Sequence, residues 1–453
     1  MRDRVIDAHS NEGGGRGQVL EGRWSRRELA RLREVADPEI DEIVAAYHRR
    51  HPELTDARDL VRSMIRELSL AKRDPERFTR AAGNPDRTWL SEALGIALAP
   101  PRWPPDPALI ERGQRVFADY GLYQAAALFF ASLPMAYATL DGAAVLARVS
   151  DLATQSLVRR VAETGQMLLD VMGLRGGDSL DPGAPGYMTA VGLRLMHSCV
   201  RVLVAGQPAP DPWPAAEFGP PANQELMLGT LLDFTEVAWA SMARMGITLS
   251  EAEREANLHT WSFIGELMGV EACRDGPLSL DDVDQISTGM NRLLGPSEAG
   301  QRLMTALLGE MEEFMPLGWR KLPRSVVRWL FQDAPGAVSG VPDMLHVPPA
   351  AWWSGPLQAS LRAANTDSWL LGPLEPVAHA LLRKLGRHVL ISYSDRYANG
   401  QAPFRIPPEL ARRWGIRNTP ARGEIRQLRR RARHTARAGV RRLSERGARR
   451  RPS

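Results

Sequence analysis

One apolar segment carries a histidine and two arginines where a buried helix is expected to be hydrophobic: residues 187–204, YMTAVGLRLMHSCVRVLV. Arg194, His197 and Arg201 stand at i, i+3 and i+7, which puts them within about 60° of one another on a helix. Two buried cations beside an imidazole are costly unless anionic groups meet them. A haem would do so, because its iron binds an imidazole nitrogen and its propionates accept hydrogen bonds from guanidinium groups. Carboxylates of neighbouring helices would satisfy the arginines as well, so the spacing leaves both explanations open.

A second helix-forming segment, residues 151–172, also places chemically distinctive side chains on one face: Arg160, Glu163, Thr164 and Met167. Arg160 and Glu163 lie three residues apart, so they could simply form an ion pair on the helix surface. This segment by itself therefore assigns no function.

Familiar catalytic motifs are absent from the sequence. It contains no Walker A loop, no GxGxxG after a strand, no HExxH, no GxSxG and no zinc-type cluster of cysteine and histidine. Hydrolases and dehydrogenases of the familiar types are thus disfavoured. Two cysteines are too few for a disulfide framework. The amino terminus also lacks the apolar region of a signal peptide, so a cytoplasmic location is expected.

The elements that position these residues are predicted to be helices. The 453 residues are 44% apolar and 25% charged, as in ordinary soluble proteins. Apolar residues recur at spacings of three and four residues, and segments of alternating β-branched residues that would predict strands are nearly absent. The predicted fold class is therefore mainly α. We divide the chain into a flexible N-terminus (1–24), an N-terminal helical segment (25–106), a helical core (107–345), a C-terminal helical or loop segment (346–410) and a basic tail (411–453).

One stretch of the core is long enough to cross a bilayer. Between Asp119 and Asp141 lie 21 uncharged residues. They include three tyrosines and the helix-breaking Pro134, which predict a buried helix kinked or ended near this proline rather than a transmembrane span.

The basic tail stands apart from the rest of the chain in charge. It holds 16 arginines against two glutamates, a local charge of +14, so the remainder carries −9. Its apolar residues form one stripe of an amphipathic helix surrounded by arginines. Such a helix could contact an anionic membrane surface or nucleic acid, or it could be a solvated terminal helix.

Five segments, taken in order, resemble the haem oxygenases grouped as MpaB-type oxygenases and latex-clearing-protein rubber oxygenases. The resemblance covers about residues 107–315. The segments are FFASLPMAYATLDGAAVL (129–146), RRVAETGQMLLDVM (159–172), VGLRLMHSCVR (191–201), NQELMLGTLLDF (223–234) and WSFIGELMGV (261–270).

The resemblance implies a globin-like helical core, with additional helices at both ends, that holds haem b without a covalent bond. His197 would be the proximal ligand of the iron. Arg160, Glu163 and Thr164 resemble the distal helix of rubber oxygenases and would be the catalytic residues. The rubber oxygenases have a lysine that can bind the iron where this chain has Glu163. The carboxylate is expected to act as a base or to orient dioxygen, and a rubber-like substrate is less expected.

Further residues of the matched segments receive roles as expectations. Gln224, Thr230 and Phe234 would line the substrate pocket. Arg194 and Arg201 are candidates for the propionates, from their geometry rather than from the resemblance. His259 is expected to be a hydrogen-bonded core residue, and Cys199 a small buried hydrophobe that points away from the iron.

The function that follows is a haem b oxygenase that uses O₂ on a small apolar substrate, such as an alkene, an isoprenoid or a secondary metabolite. A non-catalytic haem sensor of gas or redox state would use the same His197. A third hypothesis is a helical interaction protein without cofactor that docks through the basic tail.

Overall fold

The computed structural model describes residues 23–70, 95, 101–152, 157–174, 179–207, 211–313, 315–356, 358–359 and 362. Within these residues the chain forms helices, helical turns and one isolated β-bridge between Thr139 and Leu294. The mainly α prediction is therefore confirmed. The flexible N-terminus but for its last two residues, the basic tail and most of the 346–410 segment lie outside the described residues.

The described helices follow one another along the chain in this order. The first half contains α1 (Arg26–Arg33), α2 (Pro38–Arg50), α3 (Ala57–Leu70), α4 (Pro107–Ala127), α5 (Leu133–Ala138), α6 (Leu140–Leu152), α7 (Leu157–Val171) and α8 (Pro185–Ala205). The second half contains α9 (Ala215–Phe218), α10 (Gln224–Phe234), α11 (Glu236–Arg244), α12 (Glu251–Leu267), α13 (Leu280–Met290), α14 (Glu298–Glu313), α15 (Leu322–Phe331) and α16 (Val341–Met344).

The prediction of a perturbed helix near Pro134 is confirmed. α4 continues into α5 through a π-helical turn, Leu128–Ser132, in which the backbone N–H of Leu133 donates to the carbonyl of Leu128. Pro134 has no N–H to donate and its ring crowds the carbonyl four residues earlier, so a regular α-helix cannot pass through this point.

Two helical stretches are, by length and composition alone, apolar enough to cross a membrane: Pro107–Ala138 and α8. The most apolar window of α8 is 67% buried inside the protein, and that of Pro107–Ala138 is 39% buried. α8 packs against α2, α3 and α7, and α4 packs along α12. These contacts account for much of the apolar surface of α8.

The N-terminal helices share one hydrophobic cluster with the helices that follow residue 107. Leu29 and Leu32 of α1, Ile40 and Val44 of α2 and Leu60 of α3 are fully buried in it. α1 packs on α10, while α2 and α3 pack on α8. The first three helices are therefore built into the same core as the segment that carries the candidate histidine.

α12 begins and ends as its sequence indicates. The backbone N–H of Ser250 donates to Glu253 over 2.8 Å, which completes a capping box. Beyond the last turn, Gly269 has a positive φ of +78°, the left-handed conformation that glycine adopts at helix ends without strain.

α4 and α12 approach each other closely at Gly113. A Cβ atom at this position would lie 2.2 Å from Thr260 Oγ1 and 2.4 Å from the carbonyl oxygen of Ala256. Because the second of these atoms belongs to the backbone, a side-chain rotation cannot relieve the clash.

We expect Gly113→Ala to lower the free energy of unfolding by about 1–3 kcal/mol, because α4 and α12 must separate to admit the methyl group. Gly309→Ala is the matched control: this exposed glycine lies in α14, and its added Cβ would meet nothing within 4 Å. The control should gain up to about 1 kcal/mol from helix propensity. Thermal and chemical unfolding measure both. Equal stability of the two variants would contradict this account of the contact.

Candidate functional site

The arginines of α8 are paired with carboxylates of α2. Arg194 donates from Nε to Asp37 Oδ2 over 2.5 Å and from Nη2 to Asp37 Oδ1 over 2.9 Å. Arg201 donates from Nε to both oxygens of Asp41, over 2.9 and 2.8 Å. Of the two explanations left open by the sequence, neighbouring carboxylates are the one that the structure realises. The structure shows a carboxylate partner for each arginine and leaves Arg201 Nη2 buried without a hydrogen-bond partner among the described residues, so the propionate role of Arg194 and Arg201 stays a prediction.

The Arg194–Asp37 pair is enclosed by the end of α12. A Cβ atom on Gly269 would lie 2.5 Å from Arg194 Nε and 2.7 Å from Asp37 Oδ2. Burial alone would lower the pKa of Arg194, but the hydrogen bonds and the charge of Asp37 outweigh it, so the pKa is raised. The pair is thus a fixed, ionised part of the interior.

His197 lies between these two arginines and has no comparable partner. Its Nδ1 is buried and forms no hydrogen bond with any described residue. Burial, reinforced by the positive charge of Arg201 and opposed by Asp37, lowers the pKa of His197 to about 4. The ring is therefore neutral at physiological pH, the form in which imidazole binds metals. Its side chain is half-buried.

A buried polar atom without a partner costs about 1–3 kcal/mol. Because His197 Nδ1 makes no hydrogen bond with the described residues, the polarity of this side chain adds little to the stability of the fold. Its chemistry suits a ligand that the protein chain does not itself contain.

The end of α7 packs against the beginning of α8. Thr189 Oγ1 donates to Asp170 Oδ2 over 3.0 Å, and a Cβ atom on Gly186 would lie 2.6 Å from the carbonyl oxygen of Asp170. Glu163 lies seven residues before Asp170 in α7, and His197 lies eight residues after Thr189 in α8. At a rise of 1.5 Å per residue, each is therefore about 10–12 Å along its helix from the Asp170–Thr189 contact, so the two residues lie at similar heights.

Glu163 is paired with α3 rather than with its own helix. Arg58 Nη2 donates to Glu163 Oε2 over 2.7 Å; the Arg58 side chain is 9% exposed and that of Glu163 31% exposed. Thr164, the next residue, is exposed. Arg160 belongs to α7 by its backbone, but its side chain is not among those described. The predicted group of Arg160, Glu163 and Thr164 thus stands on α7, with a partner that the sequence had not indicated.

Gln224 is engaged with the backbone of its neighbours, and its pocket role stays a prediction. This side chain is 4% exposed, and its amide donates to the carbonyls of Ala36 and Gly269, each over 2.9 Å. Its carbonyl accepts from the backbone N–H of Glu271 over 2.8 Å. All three contacts are with backbone atoms, so Gln224 ties the α1–α2 connection to the end of α12.

Thr230 and Phe234 are half-buried on α10. Thr230 Oγ1 donates to the carbonyl of Leu226, four residues earlier in the same helix, over 2.9 Å. The ring of Phe234 stacks on Trp261, with 4.5 Å between centroids and 17° between planes. Phe234 therefore presents an apolar aromatic surface, and its pocket role stays a prediction.

Two predicted core residues behave as expected. His259 Nε2 accepts the backbone N–H of Asp106 over 3.0 Å, just before α4 begins, and the ring packs edge-on against Trp103. Cys199 is fully buried, and burial raises the pKa of its thiol well above the usual range. Neither residue is arranged to bind a cofactor.

The sequence analysis missed interior carboxylates of α10 and α11: Glu225, Asp233 and Glu236. Glu225 is fully buried and accepts from Arg33 over 2.9 Å and from Arg292. At the end of the same helix, burial raises the pKa of Asp233, and the charge of Glu236 raises it further. All three lie in the apolar stretch 223–242, so the signal that singled out α8, charges within an apolar helix, would also have found them.

Comparisons with known proteins give three findings. A family model described as the catalytic domain of "ER-bound oxygenase mpaB/B'/Rubber oxygenase" matches residues 114–438. A rubber oxygenase of Streptomyces sp. (strain K30) is 27% identical over 157 residues, 34% of this chain and only 37% of that protein. The structure of latex clearing protein LCP in the closed state is similar in fold, with a TM-score of 0.55 and 19% identity over 80% of this chain and 91% of that chain.

The depressed pKa of His197 predicts how stability depends on pH. The unfolded chain takes up the proton near pH 6.5 and the folded chain only near 4, so the stability due to neutral His197 is lost as pH falls through this window. Between pH 7.5 and 5, the free energy of unfolding of the cofactor-free wild type should fall by about 2 kcal/mol more than that of His197→Gln. Denaturant titrations at both pH values measure this. Parallel pH profiles would refute it.

The contacts of Gln224 predict a structural effect for its replacement. Gln224→Met leaves two buried carbonyls and one N–H without a partner and should cost about 2–4 kcal/mol of unfolding free energy. Thr230→Val, which removes a hydroxyl bonded only within its own helix, is the control and should change stability by less than about 1 kcal/mol. If Gln224→Met kept wild-type stability but bound substrate more weakly, the pocket role would be supported.

Proposed function

The chain belongs to the catalytic-domain family of the ER-bound oxygenase mpaB/B′ and rubber oxygenase, and on that premise we propose that it is a haem b-dependent oxygenase acting on an apolar, alkene-containing substrate. The observation that carries the haem is His197: a neutral, interior imidazole whose Nδ1 has no partner among the described residues. An unprotonated imidazole suits the role of an axial ligand of haem iron.

The charges of the residues around His197 are also compatible with bound haem. Asp37 and Asp41 neutralise Arg194 and Arg201, so the helix adds no unbalanced positive charge beside the imidazole. His197 would hold the iron, and bound haem would supply the site at which O₂ is activated.

Glu163 is the acid–base group in this proposal. It stands on α7 at the level of His197, and Arg58 holds one of its oxygens. A carboxylate fixed in this way can accept a proton from a substrate carbon or hydroxyl in a defined direction. Thr164 and Arg160 would orient the oxidant through hydrogen bonds.

The substrate is proposed to be small and apolar, such as an isoprenoid or a secondary metabolite. Phe234, stacked on Trp261, offers an apolar face for it, with Thr230 one turn earlier on the same helix. The cytoplasmic location expected from the sequence belongs to this proposal, because such substrates are met as intracellular metabolites.

The test is the visible spectrum of the protein after reconstitution with haem, followed by assays of O₂ uptake and product mass with an isoprenoid alkene such as squalene. Wild type should show a Soret band that His197→Ala loses, because the axial ligand is gone. His259→Gln is the matched control, a buried histidine bonded to the backbone, and should keep the band.

A wild type that stays colourless, or a His197→Ala variant with an unchanged spectrum, would refute haem ligation by His197. A haem-loaded protein that consumes no O₂ with any alkene would favour the gas or redox sensor instead.

A further inference from the structure

The large hydrophobic side chains that remain exposed are concentrated at one place on the surface. Among the residues that the structure describes there are three, with Leu317 82%, Trp319 47% and Trp352 91% exposed. The ring of Trp353 lies edge-on to that of Trp319, with 5.4 Å between the two centroids. We call these four side chains the tryptophan patch. An exposed apolar patch is typical of a surface that contacts another molecule or a membrane.

The turns that carry the patch are held by hydrogen bonds. The helical turn Leu317–Trp319 is closed by the backbone N–H of Trp319, which donates to the carbonyl of Pro316 over 2.7 Å. The backbone N–H of Ala351 donates to Oγ of Ser325, a fully buried residue of α15, over 2.8 Å. Both turns are therefore tied to their surroundings by backbone contacts, and they present the tryptophan rings from fixed positions.

The charges beside the patch are positive. Arg320 and Lys321 follow Trp319 directly in the sequence, are exposed, and form no ion pair with any described residue. The segments that carry the patch, 315–321 and 347–356, contain neither aspartate nor glutamate. The two cations are therefore available to an anionic partner.

An anionic lipid bilayer is the partner that fits these features. Side chains that are 82% and 91% exposed project from the surface, and a fluid bilayer accepts such projections without a complementary pocket. Tryptophan is enriched at membrane–water interfaces, because its ring is apolar while its N–H can donate a hydrogen bond. Arginine and lysine beside it are attracted to anionic headgroups, and their apolar stems can lie along the interface.

We propose that the tryptophan patch docks the protein on an anionic lipid bilayer. Leu317 and Trp352 enter the interfacial region, and Arg320 and Lys321 contact the phosphate groups of the lipids. The contact is peripheral, and it depends neither on the proposed oxygenase function nor on the basic tail. An apolar substrate of the class proposed above dissolves in bilayers, so the docked protein would meet it there.

The experiment is co-sedimentation of the whole chain with mixed vesicles of phosphatidylcholine and phosphatidylglycerol. Leu317→Ser/Trp352→Ser should weaken binding about tenfold or more, because two apolar side chains no longer enter the bilayer. Arg320→Gln/Lys321→Gln should weaken it about 10–30-fold, and should leave the binding to pure phosphatidylcholine vesicles unchanged. All four of these side chains are exposed, so both variants should keep the melting temperature of wild type.

Two further variants separate insertion of the patch from general attraction of a basic chain. Vesicles with brominated acyl chains quench a tryptophan that enters the bilayer, so wild type should lose fluorescence on binding. Trp352→Phe keeps an apolar ring and should bind within about threefold of wild type, but with less quenching. Arg26→Gln/Arg27→Gln is the matched control, because it removes two adjacent, exposed arginines at the start of α1. It should bind as wild type does.

Three results would overturn the proposal. Wild type could fail to bind the vesicles, or bind them without quenching by brominated lipid. The Leu317→Ser/Trp352→Ser variant could bind as well as wild type, or Arg26→Gln/Arg27→Gln could weaken binding as much as Arg320→Gln/Lys321→Gln, which would indicate only the net charge. The serine variant could also convert an associated protein into a monomer in analytical ultracentrifugation with vesicle binding unchanged, which would assign the patch to a contact between two copies of the chain.

Discussion

The burial of two guanidinium groups on α8 is the constraint on which the arrangement of the core depends. Arg194 and Arg201 lie in an apolar helix, where each requires a carboxylate, and α2 supplies both. The Arg194–Asp37 pair occupies the space that a side chain at residue 269 would need. The residue at this position, just after α12, must therefore be glycine. α2, α8 and the end of α12 are thereby held in one relative position.

His197 differs from the charged residues beside it. Arg194, Arg201 and the buried Glu225 each form an ion pair, whereas His197 Nδ1 has no hydrogen-bond partner among the described residues. The same surroundings that complete the ion pairs also keep the imidazole neutral. The ion pairs of α8 thus hold the helix beside His197 in place, as the cofactor site proposed above would require.

Local features of this chain could be read from its sequence, and distant pairings could not. Apolar periodicity indicated the helices, and Pro134 indicated the disturbed turn, because both act within a few residues. The partner of Arg194 lies 157 residues away, so spacing could not decide between a propionate and a carboxylate. A polar residue in an apolar helix can either contact a ligand or form hydrogen bonds with the backbone of neighbouring segments. The sequence does not distinguish these roles for Gln224, whose hydrogen bonds are visible only in the folded chain.

The distance along the chain between the ion-pair partners also has a consequence for synthesis. Asp37 is 157 residues from Arg194, and Arg58 is 105 residues from Glu163, so α1–α3 leave the ribosome long before α7 and α8 exist. At 5–20 residues per second, the wait for α8 is about 8–30 s. During that interval α2 and α3 lack α8, and α1 lacks α10, the helices against which they pack in the folded protein. The final packing of the N-terminal helices is therefore completed only after α8 and α10 have been synthesised.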